Sequence, residues 1–322
     1  MFNRGQGQAE MALRPQTRSL LFLALCLVIW WSHDVSGATQ SSLVVTPVGS
    51  SLEIPATLIT PEGEGPFPAL VIMHDCSGLG PRSSGAPARW ARELVGQGYV
   101  VLIPDSFAPR GFPDGVCFIP GSQTASVNGY ARAADAYGAL AALRALPVVD
   151  GKRVGIMGNS HGGWTVLAAM ATQPAGDSAL ADAQRNGFSA ALALYPSCTA
   201  RYGGWSTVRQ KGSTFGPAVN FFGTYQPVAP VLILTGEKDD WTPAEPCRRL
   251  AESSRAAGYP VEIKIYPGAH HSFDNDRPVR YDGMRNNPNS PSGRGATTGG
   301  DPDAWADARK QVASFFSRHL KR

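Results

Sequence analysis

One serine of this chain lies in the sequence context of a catalytic nucleophile. Ser160 is the centre of GNSHG (residues 158–162), the single G-x-S-x-G of the sequence, and it directly follows the apolar run Val154–Met157. A strand that turns sharply into a helix exposes such a serine above a sheet edge, and the flanking glycines let the backbone pass. The N–H groups at the start of that helix favour a developing oxyanion. The alternative is a glycine-rich turn with an incidental serine.

A serine hydroxyl becomes a nucleophile only when a base removes its proton, and suitable groups follow later in the chain. His270 and His271 come after the last β-branched run, and the carboxylates of the segment GEKDD (residues 236–240) come after the run before it. Serine, then acid, then histidine is one chain order in which catalytic triads occur. We predict Asp239 as the acid, with Glu237 and Asp240 as solvated loop charges. Either histidine could be the base.

These residues are positioned by apolar runs that alternate with helical stretches from residue 68 onward. Each run is continuous, as expected for strands covered on both faces. The alternation predicts an α/β fold with a mostly parallel sheet and helices on both faces, and Leu43–Ile59 predicts an antiparallel hairpin at the sheet edge. The predicted strands are Ala69–Met73, Val100–Ile103, Val154–Met157, Ala190–Tyr195, Val231–Thr235 and Val261–Tyr266, and the predicted helices are Ala88–Gly96, Tyr130–Leu146, Gly162–Thr172, Pro243–Ala257 and Ala304–Leu320.

Two long stretches interrupt the alternation. Residues 199–230 are aromatic and Gly-rich, and residues 274–300 are polar and rich in Asn, Gly and Pro. Loops of this length in a compact domain are usually functional or disordered. We predict a lid-like insertion or pocket wall for the first and a mobile surface loop for the second, with another lid as the alternative. The aromatic side chains of the first stretch could stack on a ligand or pack onto the core; they are Tyr202, Trp205, Phe221, Phe222 and Tyr225.

The N-terminal residues 1–37 have the pattern of a secretory signal peptide. Arg4, Arg14 and Arg18 precede an uncharged apolar run at residues 20–31, and small residues precede Ala38. The run is shorter than the ~20 residues of a membrane-spanning helix. We predict cleavage before Ala38, export to the periplasm or medium, and one hydrolase domain over residues 38–322 without stable membrane insertion. An uncleaved membrane anchor is the alternative.

Composition and cysteine count bound the function further. The chain of 322 residues has 43% hydrophobic residues and a formal net charge of +4, without a basic run long enough to track a phosphate backbone, so nucleic-acid binding is not expected.

Four cysteines remain after cleavage, an even number in an oxidising setting. Because the loops of neighbouring strands meet at one sheet edge, we favour the pairs Cys76–Cys117 and Cys198–Cys247. Four free thiols, or Cys76 as the nucleophile, are the alternatives.

Five segments resemble motifs of the dienelactone hydrolase family within the α/β-hydrolase superfamily. They are HDCSGL (74–79), PDSFAPRG (104–111), GNSHGG (158–163), LTGEKDDWTP (234–243) and YPGAHHSF (266–273). The resemblance runs from about residue 52 to the terminal helix. It implies Ser160 as nucleophile, Asp239 as acid and His271 as base, with an oxyanion hole formed by the backbone N–H groups of Cys76 and His161. Dienelactone hydrolase itself uses Cys at the position of Ser160.

The sequence thus predicts an exported serine hydrolase that cleaves a small carboxylic ester or lactone through an acyl-enzyme. No cofactor or metal is expected, because the H-E-x-x-H, Walker A and dinucleotide fingerprints are absent from the sequence. The alternatives are an exported serine peptidase and a non-catalytic ligand-binding module. Arg110 could hold a substrate carboxylate or pair with Asp105 or Asp114, and Tyr202 and Trp205 are candidate substrate contacts. The oligomeric state is left open.

Overall fold

The computed structural model describes residues 37–173, 178–210 and 213–321. Residues 1–36 of the predicted signal peptide lie outside the described residues. The described residues from 37 onward form one compact unit. Across the described ranges, no helix combines the length and the apolar composition that a membrane span requires.

An eight-stranded, mostly parallel sheet organises the domain, which confirms the predicted fold class. Its strand order is β1-β2-β4-β3-β5-β6-β9-β10, and only β1 and β2 run antiparallel to their neighbours, as the predicted edge hairpin. Two separate hairpins, β7–β8 and β11–β12, lie outside this sheet. The strands are β1 Thr39–Val45, β2 Ile54–Thr60, β3 Phe67–Met73, β4 Val100–Pro104, β5 Val149–Asn159, β6 Ala191–Leu194, β7 Ser206–Arg209, β8 Ala218–Phe222, β9 Val231–Gly236, β10 Val261–Tyr266, β11 Arg280–Asn286 and β12 Arg294–Thr298.

Helices cover both faces of the sheet. Along β3, Val71 and Met73 join one buried cluster and Leu70 and Ile72 join the other, because successive strand residues point to opposite faces. Residues of α2, α3 and α5 complete the first cluster, and those of α1 and α6 complete the second. The helices are α1 Ala86–Val95, α2 Gly129–Arg144, α3 His161–Met170, α4 Ser178–Arg185, α5 Ala244–Ala256 and α6 Pro302–Leu320.

Helix boundaries follow local capping chemistry. The Asn128 side chain accepts hydrogen bonds from the N–H groups of Tyr130 and Ala131 and starts α2. Asp301 caps the N–H of Ala304, and Pro302 in the first turn fits the start of α6. Helix α3 has no such cap: Ser160 occupies its N-cap position, but the Ser160 hydroxyl forms no hydrogen bond with the helix backbone. The sequence motif therefore places the serine side chain, rather than a cap, at this strand-to-helix turn.

The two long stretches differ from their predicted roles. In residues 199–230, Tyr202, Trp205 and Tyr225 are completely buried against the core cluster of α3 and α5, so this stretch packs onto the domain and forms the hairpin β7–β8. Residues 274–300 form the hairpin β11–β12 instead of an irregular loop. Polar anchors hold this second hairpin: Asn287 Nδ2 donates to the Asp240 carbonyl at 2.9 Å, and Thr297 N–H donates to Asp240 Oδ1 at 2.8 Å.

Candidate active site

The turn between β5 and α3 holds Ser160 in a conformation that few residues adopt. Ser160 has φ 53° and ψ −111°, in the positive-φ region that is strained for a residue with a side chain. The turn is also too tight for side chains on either flank. A Cβ on Gly162 would lie 1.9 Å from the Met73 carbonyl oxygen, and one on Gly158 would lie 2.3 Å from the Gly162 carbonyl oxygen. Gly162 is therefore required by backbone contact with the end of β3, and Gly158 by backbone contact within the turn itself.

A continuous hydrogen-bonded chain connects the serine, a histidine and a carboxylate. His271 Nε2 lies 2.9 Å from Ser160 Oγ, and His271 Nδ1 lies 2.8 Å from Asp239 Oδ2. Asp239 stands just after β9 and His271 just after β10, so the parallel sheet brings both to the carboxyl edge where Ser160 lies. All three side chains are buried. This is the geometry in which a carboxylate orients an imidazole toward a hydroxyl.

Neighbours fix the orientation of the Asp239 carboxylate. Its Oδ1 accepts hydrogen bonds from the N–H groups of Trp241 and Thr242, at 2.9 and 2.7 Å. The Thr242 hydroxyl lies 2.9 Å from Asp239 Oδ2 and 3.0 Å from His271 Nδ1, so it also contacts the bond between the two. Sequence reasoning did not identify Thr242, although its place three residues after the acid is a local signal.

The other candidate acids and the other candidate base lie outside this chain of hydrogen bonds. Glu237 accepts a hydrogen bond from the N–H of Gly268 at 3.0 Å, and both oxygens of Asp240 accept from Thr297. Among the described residues, His270 forms no hydrogen bond with Ser160 or Asp239. The structure therefore brings together Ser160, Asp239 and His271 and leaves the three alternatives outside the chain of hydrogen bonds.

A buried carboxylate that the sequence did not reveal lies behind this chain. Asp274 accepts hydrogen bonds from Trp90 Nε1 at 2.7 Å, Asn159 Nδ2 at 2.9 Å and the Tyr195 hydroxyl at 2.8 Å. Asn159 immediately precedes Ser160, and the Tyr195 ring lies 4.7 Å from the His271 ring, measured between centroids. Burial raises the pKa of the Asp274 carboxyl above its ordinary value. These partners lie far apart in sequence, which explains why no motif predicts the cluster.

Two backbone N–H groups are available beside Ser160. Among the described residues, neither Cys76 N–H nor His161 N–H has a protein acceptor. The loop of Cys76 is held firmly: Ser77 N–H donates to Asp75 Oδ1 at 2.7 Å, Val116 N–H donates to the Cys76 carbonyl at 2.6 Å, and a disulfide joins Cys76 to Cys117. The second disulfide joins Cys198 to Cys247, so both predicted pairs are present. Cys76 is therefore no thiol nucleophile in this structure.

A cavity of about 240 Å³ opens above Ser160. The apolar side chains of Phe118, Tyr195 and Trp241 and the first disulfide form part of its wall. Residues of the loop after β3, of the start of α1 and of the hairpin β11–β12 with the segment before it also line the cavity, whereas the described residues of 199–230 contribute none. Five lining residues are arginines: Arg82, Arg89, Arg277, Arg280 and Arg285.

The three predicted substrate contacts lie elsewhere. Arg110 forms a bidentate ion pair with Asp135, at 2.9 and 2.7 Å, because that completely buried carboxylate requires a counter-charge. This partner is neither Asp105 nor Asp114, and Arg110 does not line the cavity. The Tyr202 hydroxyl donates to the Ser197 carbonyl and Trp205 Nε1 to the Cys198 carbonyl, at 2.6 and 3.0 Å, inside the core. Tyr202, Trp205, Phe221 and Tyr225 pack onto the core, the alternative considered for this stretch, whereas Phe222 is exposed.

One group of potential metal ligands occurs among the described residues, formed by Asp75, Cys76 and Cys117. The two sulfurs are bonded to each other, so neither is a thiolate that could bind a metal ion. The Asp75 carboxylate is occupied by the backbone and hydroxyl of Ser77 and by the hydroxyl of Ser84. These residues do not fit a metal site.

Fold and site together define an α/β-hydrolase with a serine at the turn after β5, and comparisons with known proteins identify the family. The profile of the Dienelactone hydrolase family matches residues 54–320. The chain therefore belongs to the dienelactone hydrolase family and is a carboxylic ester hydrolase.

Individual relatives are distant. A protein of Methylorubrum extorquens that carries the name carboxymethylenebutenolidase is 26% identical over 234 residues, 69% of each chain. A structure titled as a dienelactone hydrolase from Klebsiella pneumoniae has a TM-score of 0.55 at 20% identity and covers 88% of this chain and 99% of its own. Porphyromonas gingivalis dipeptidyl peptidase 4 has a TM-score of 0.56 at 18% identity, over 88% of this chain and 36% of its own. The two solved structures share the fold.

Proposed function

We propose that this chain is an exported serine esterase or lactonase that acts through an acyl-enzyme. The observation that carries the proposal is the hydrogen-bonded chain Ser160–His271–Asp239, at 2.9 and 2.8 Å. The strained turn at Ser160 and the two N–H groups without acceptors beside it support the same role. The family and the carboxylic ester chemistry are already established, so the proposal concerns the residues, the substrate and the compartment.

The mechanism follows from the atoms in contact. Ser160 Oγ attacks the ester carbonyl carbon while His271 Nε2 takes the hydroxyl proton, and Asp239 stabilises the imidazolium through Nδ1–H. The N–H groups of Cys76 and His161 bind the carbonyl oxygen as it becomes negative. The tetrahedral intermediate collapses, the carbon–oxygen bond to the alcohol breaks, and His271 gives its proton to the leaving alkoxide. A water molecule then attacks the acyl-enzyme with His271 as base, which releases the carboxylic acid and restores Ser160.

Labelling with a fluorophosphonate tests whether Ser160 is an activated nucleophile. We expect one label per protein molecule on Ser160 and hydrolysis of small esters by the same preparation. An unlabelled, folded protein would instead favour the non-catalytic ligand-binding module. A matched ester and amide separate esterase from peptidase, and faster cleavage of the amide would contradict the proposal. The peptidase neighbour supports this choice of control, because it has the same fold inside a much longer chain.

The cavity supports a small anionic substrate. Its volume of about 240 Å³ is below the ~300 Å³ at which pockets for drug-sized ligands begin, so it fits a small acyl group or lactone. Arg82, Arg277 and Arg280 line it, are exposed, and have no acidic partner among the described residues. The acidic residues of the wall, Asp75 and Asp282, are already engaged by serines and by Arg285. The unpaired guanidinium groups favour a substrate that carries a carboxylate.

A pair of esters that differ only in a distal carboxylate tests this charge preference. We expect Arg277→Ala combined with Arg280→Ala to lower kcat/KM for the anionic ester by about 10-fold or more and to leave the neutral ester nearly unchanged. Arg318→Ala, at a partly exposed arginine paired with Glu262 and outside the cavity lining, is the control and should affect neither ester. Equal losses on both esters would remove the two arginines from substrate recognition.

Export is supported by the two disulfides together with the N-terminal sequence pattern. Disulfides persist in oxidising compartments and are rare in the cytosol. Both bridges lie at the carboxyl edge of the sheet, and one of them borders the cavity above Ser160. We therefore place the working enzyme in the periplasm or the medium.

A further inference from the structure

An arginine is buried beside the catalytic turn without a carboxylate bound to it. Arg132, in α2, has no exposed surface. The nearest acid of its own helix, Asp135, is bound by Arg110, and within the described ranges no carboxylate accepts a hydrogen bond from Arg132. A buried charge without a bound partner is strongly unfavourable unless hydrogen bonds compensate for lost water. The hydrogen bonds of Arg132 therefore have to compensate for the cost of burying its charge.

Both hydrogen-bonding ends of this guanidinium reach the segments that contain the two free N–H groups. One terminal nitrogen donates to the His74 carbonyl at 2.8 Å, two residues before Cys76. The other lies 2.8 Å from Nδ1 of His161, whose own backbone N–H is the second donor. The guanidinium also lies over the Phe107 ring, 4.8 Å from its centroid. A single planar cation thus connects the loop after β3 to the start of α3.

The hydrogen bonds also determine the protonation of the two histidines. Because Arg132 has only donors, Nδ1 of His161 must accept, which leaves its proton on Nε2. Ser106 N–H donates to His74 Nε2, which leaves the His74 proton on Nδ1. Burial, followed by the charge of Arg132, holds the pKa of both imidazoles well below the ordinary value. Burial lowers the pKa of Arg132 to about 10, so Arg132 remains the cation of this cluster at neutral pH.

We propose that Arg132 is a positioning residue that sets the separation and orientation of the Cys76 and His161 N–H groups around the developing oxyanion. The inference rests on the proposed function, because it assigns a role within that oxyanion hole. Arg132 bridges the two backbone segments and lies behind them, and the substrate contacts the N–H groups instead. Oxyanion donors act on charge that develops only in the transition state, so their misplacement lowers kcat and leaves KM nearly unchanged.

Two substitutions on α2 test the role. Arg132→Met keeps the length of the side chain and removes both hydrogen bonds. Arg144→Met is the matched control, because Arg144 also donates to backbone carbonyls, those of Gly151 and Gly187, but lies about 18 Å further along the helix. With rates normalised to fluorophosphonate-titrated sites, we expect Arg132→Met to lower kcat by about 10- to 100-fold with KM within about threefold. Arg144→Met should keep kcat and KM.

A transition-state analogue separates positioning from a merely structural role. Phenylboronic acid adds to a serine hydroxyl and gives a tetrahedral anion whose oxygen requires the same two donors. Its inhibition constant should rise in Arg132→Met by the factor by which kcat/KM falls. Unchanged kcat per titrated site and an unchanged inhibition constant would overturn the inference. Arg132→Lys should recover less than half of the loss, since one ammonium does not reproduce the planar bridge, and full recovery would show that charge alone suffices.

A second variant keeps the test valid if Arg132→Met does not fold. His161→Leu removes the acceptor of Arg132 and leaves the His161 backbone in place, so we expect a fall in kcat similar to that of Arg132→Met. Because both changes break one contact, the double variant should be no more than about twofold slower than the slower single variant, whereas multiplied losses would contradict the bridge. Full activity of Ser160→Ala would instead refute the proposed triad. Failure of the proposed function can therefore be distinguished from failure of the positioning role of Arg132.

Discussion

Ser160 adopts its unusual backbone conformation because Gly158 and Gly162 let the turn pass against the end of β3. Strain of this kind persists only where the surroundings fix it, and it exposes the hydroxyl to the cavity. Among the described residues, the Ser160 hydroxyl forms one hydrogen bond, to His271 Nε2. Side-chain substitutions at residue 160 therefore test chemistry rather than folding.

Alanine substitutions of Ser160, His270 and His271 test the proposed nucleophile and base. We expect Ser160→Ala and His271→Ala each to lower kcat by about four orders of magnitude, because each removes one end of the proton-transfer pair. His270→Ala should keep kcat within about twofold, and unfolding by denaturant should be nearly the same in all three. The assay is ester hydrolysis by purified protein. An inactive His270→Ala with an active His271→Ala would move the base to its neighbour.

The three residues of the hydrogen-bonded chain Ser160–His271–Asp239 were predictable from the sequence, whereas the residues that support them were not. Ser160, Asp239 and His271 each follow a recognisable strand, so chain order and family motifs single them out. Arg132 and Asp274 contact the site from helices and loops without a motif of their own, since their partners are up to 184 residues away. The partner of Arg110 could not be predicted, because the buried Asp135 that binds it, 25 residues later, has no sequence signal.

Among the elements, Asp274 joins α1, the end of β5 and the end of β6 through its three hydrogen bonds. Its raised pKa has a definite consequence for stability. Above the ordinary pKa of an aspartate, the unfolded chain loses the proton readily while the folded protein retains it, so folding becomes less favourable as pH rises toward the folded-state pKa. Once pH exceeds the folded-state pKa, the effect is constant.

Asp274→Asn isolates this pH dependence. The free energy of unfolding of the wild type, relative to that of Asp274→Asn, should fall as pH rises from about 4 and then level off. Urea unfolding of both proteins at a series of pH values gives this difference. A difference that increases with pH would mean that the three donors outweigh burial and lower the pKa of Asp274.

The two disulfides have separable effects, since only one of them lies in the loop after β3 and includes Cys76, a proposed oxyanion donor. They close loops of 41 and 49 residues, and each should stabilise the fold by about 4 kcal/mol through the unfolded chain. We expect Cys198→Ser with Cys247→Ser to lower the free energy of unfolding and, through the loop of Asp239, to reduce kcat moderately. Cys76→Ser with Cys117→Ser should lower kcat more. Unfolding and kinetics at a temperature where all variants are folded check this order.

The strands of the central sheet were predictable because buried parallel strands are continuous apolar runs. The hairpins β7–β8 and β11–β12 have no such signal. Strand β11 reads RYDGMRN and is held by polar anchors such as the Trp241 indole, which donates to the Asn286 carbonyl at 2.8 Å. A sequence of this composition looks like a loop until its distant anchors are known. Helix α4 was missed for the related reason that it is short and polar.

For the whole molecule, the formal charge of +4 gives little information, whereas the distribution of arginines around the cavity is specific. The sequence composition argues against nucleic acid as a partner. It could not predict that arginines cluster around the cavity, because the cavity wall comes from segments about 200 residues apart. Arg82 precedes α1, whereas Arg277 and Arg280 belong to the hairpin region.

The proposed export predicts the N-terminal residue and the thiol content of the mature protein. We expect protein recovered from outside the cytoplasm to begin at Ala38 and to contain no free thiol, because all four remaining cysteines are paired. Intact-mass measurement before and after alkylation under non-reducing conditions checks both points. A full-length chain retained in the membrane fraction would support the uncleaved anchor instead.

The hairpin β11–β12 lies between His271 and α6 as one contiguous stretch, and its polar anchors end on Asp240 and Trp241, next to Asp239. Exchanges within this single segment would therefore change residues that line the cavity without repacking any strand of the central sheet. The attachment limits that freedom: a transplanted hairpin that lacked Asn287 or Thr297 would release the loop of Asp239. A change in this hairpin that alters the substrate range would then also have to keep Asp239 in position.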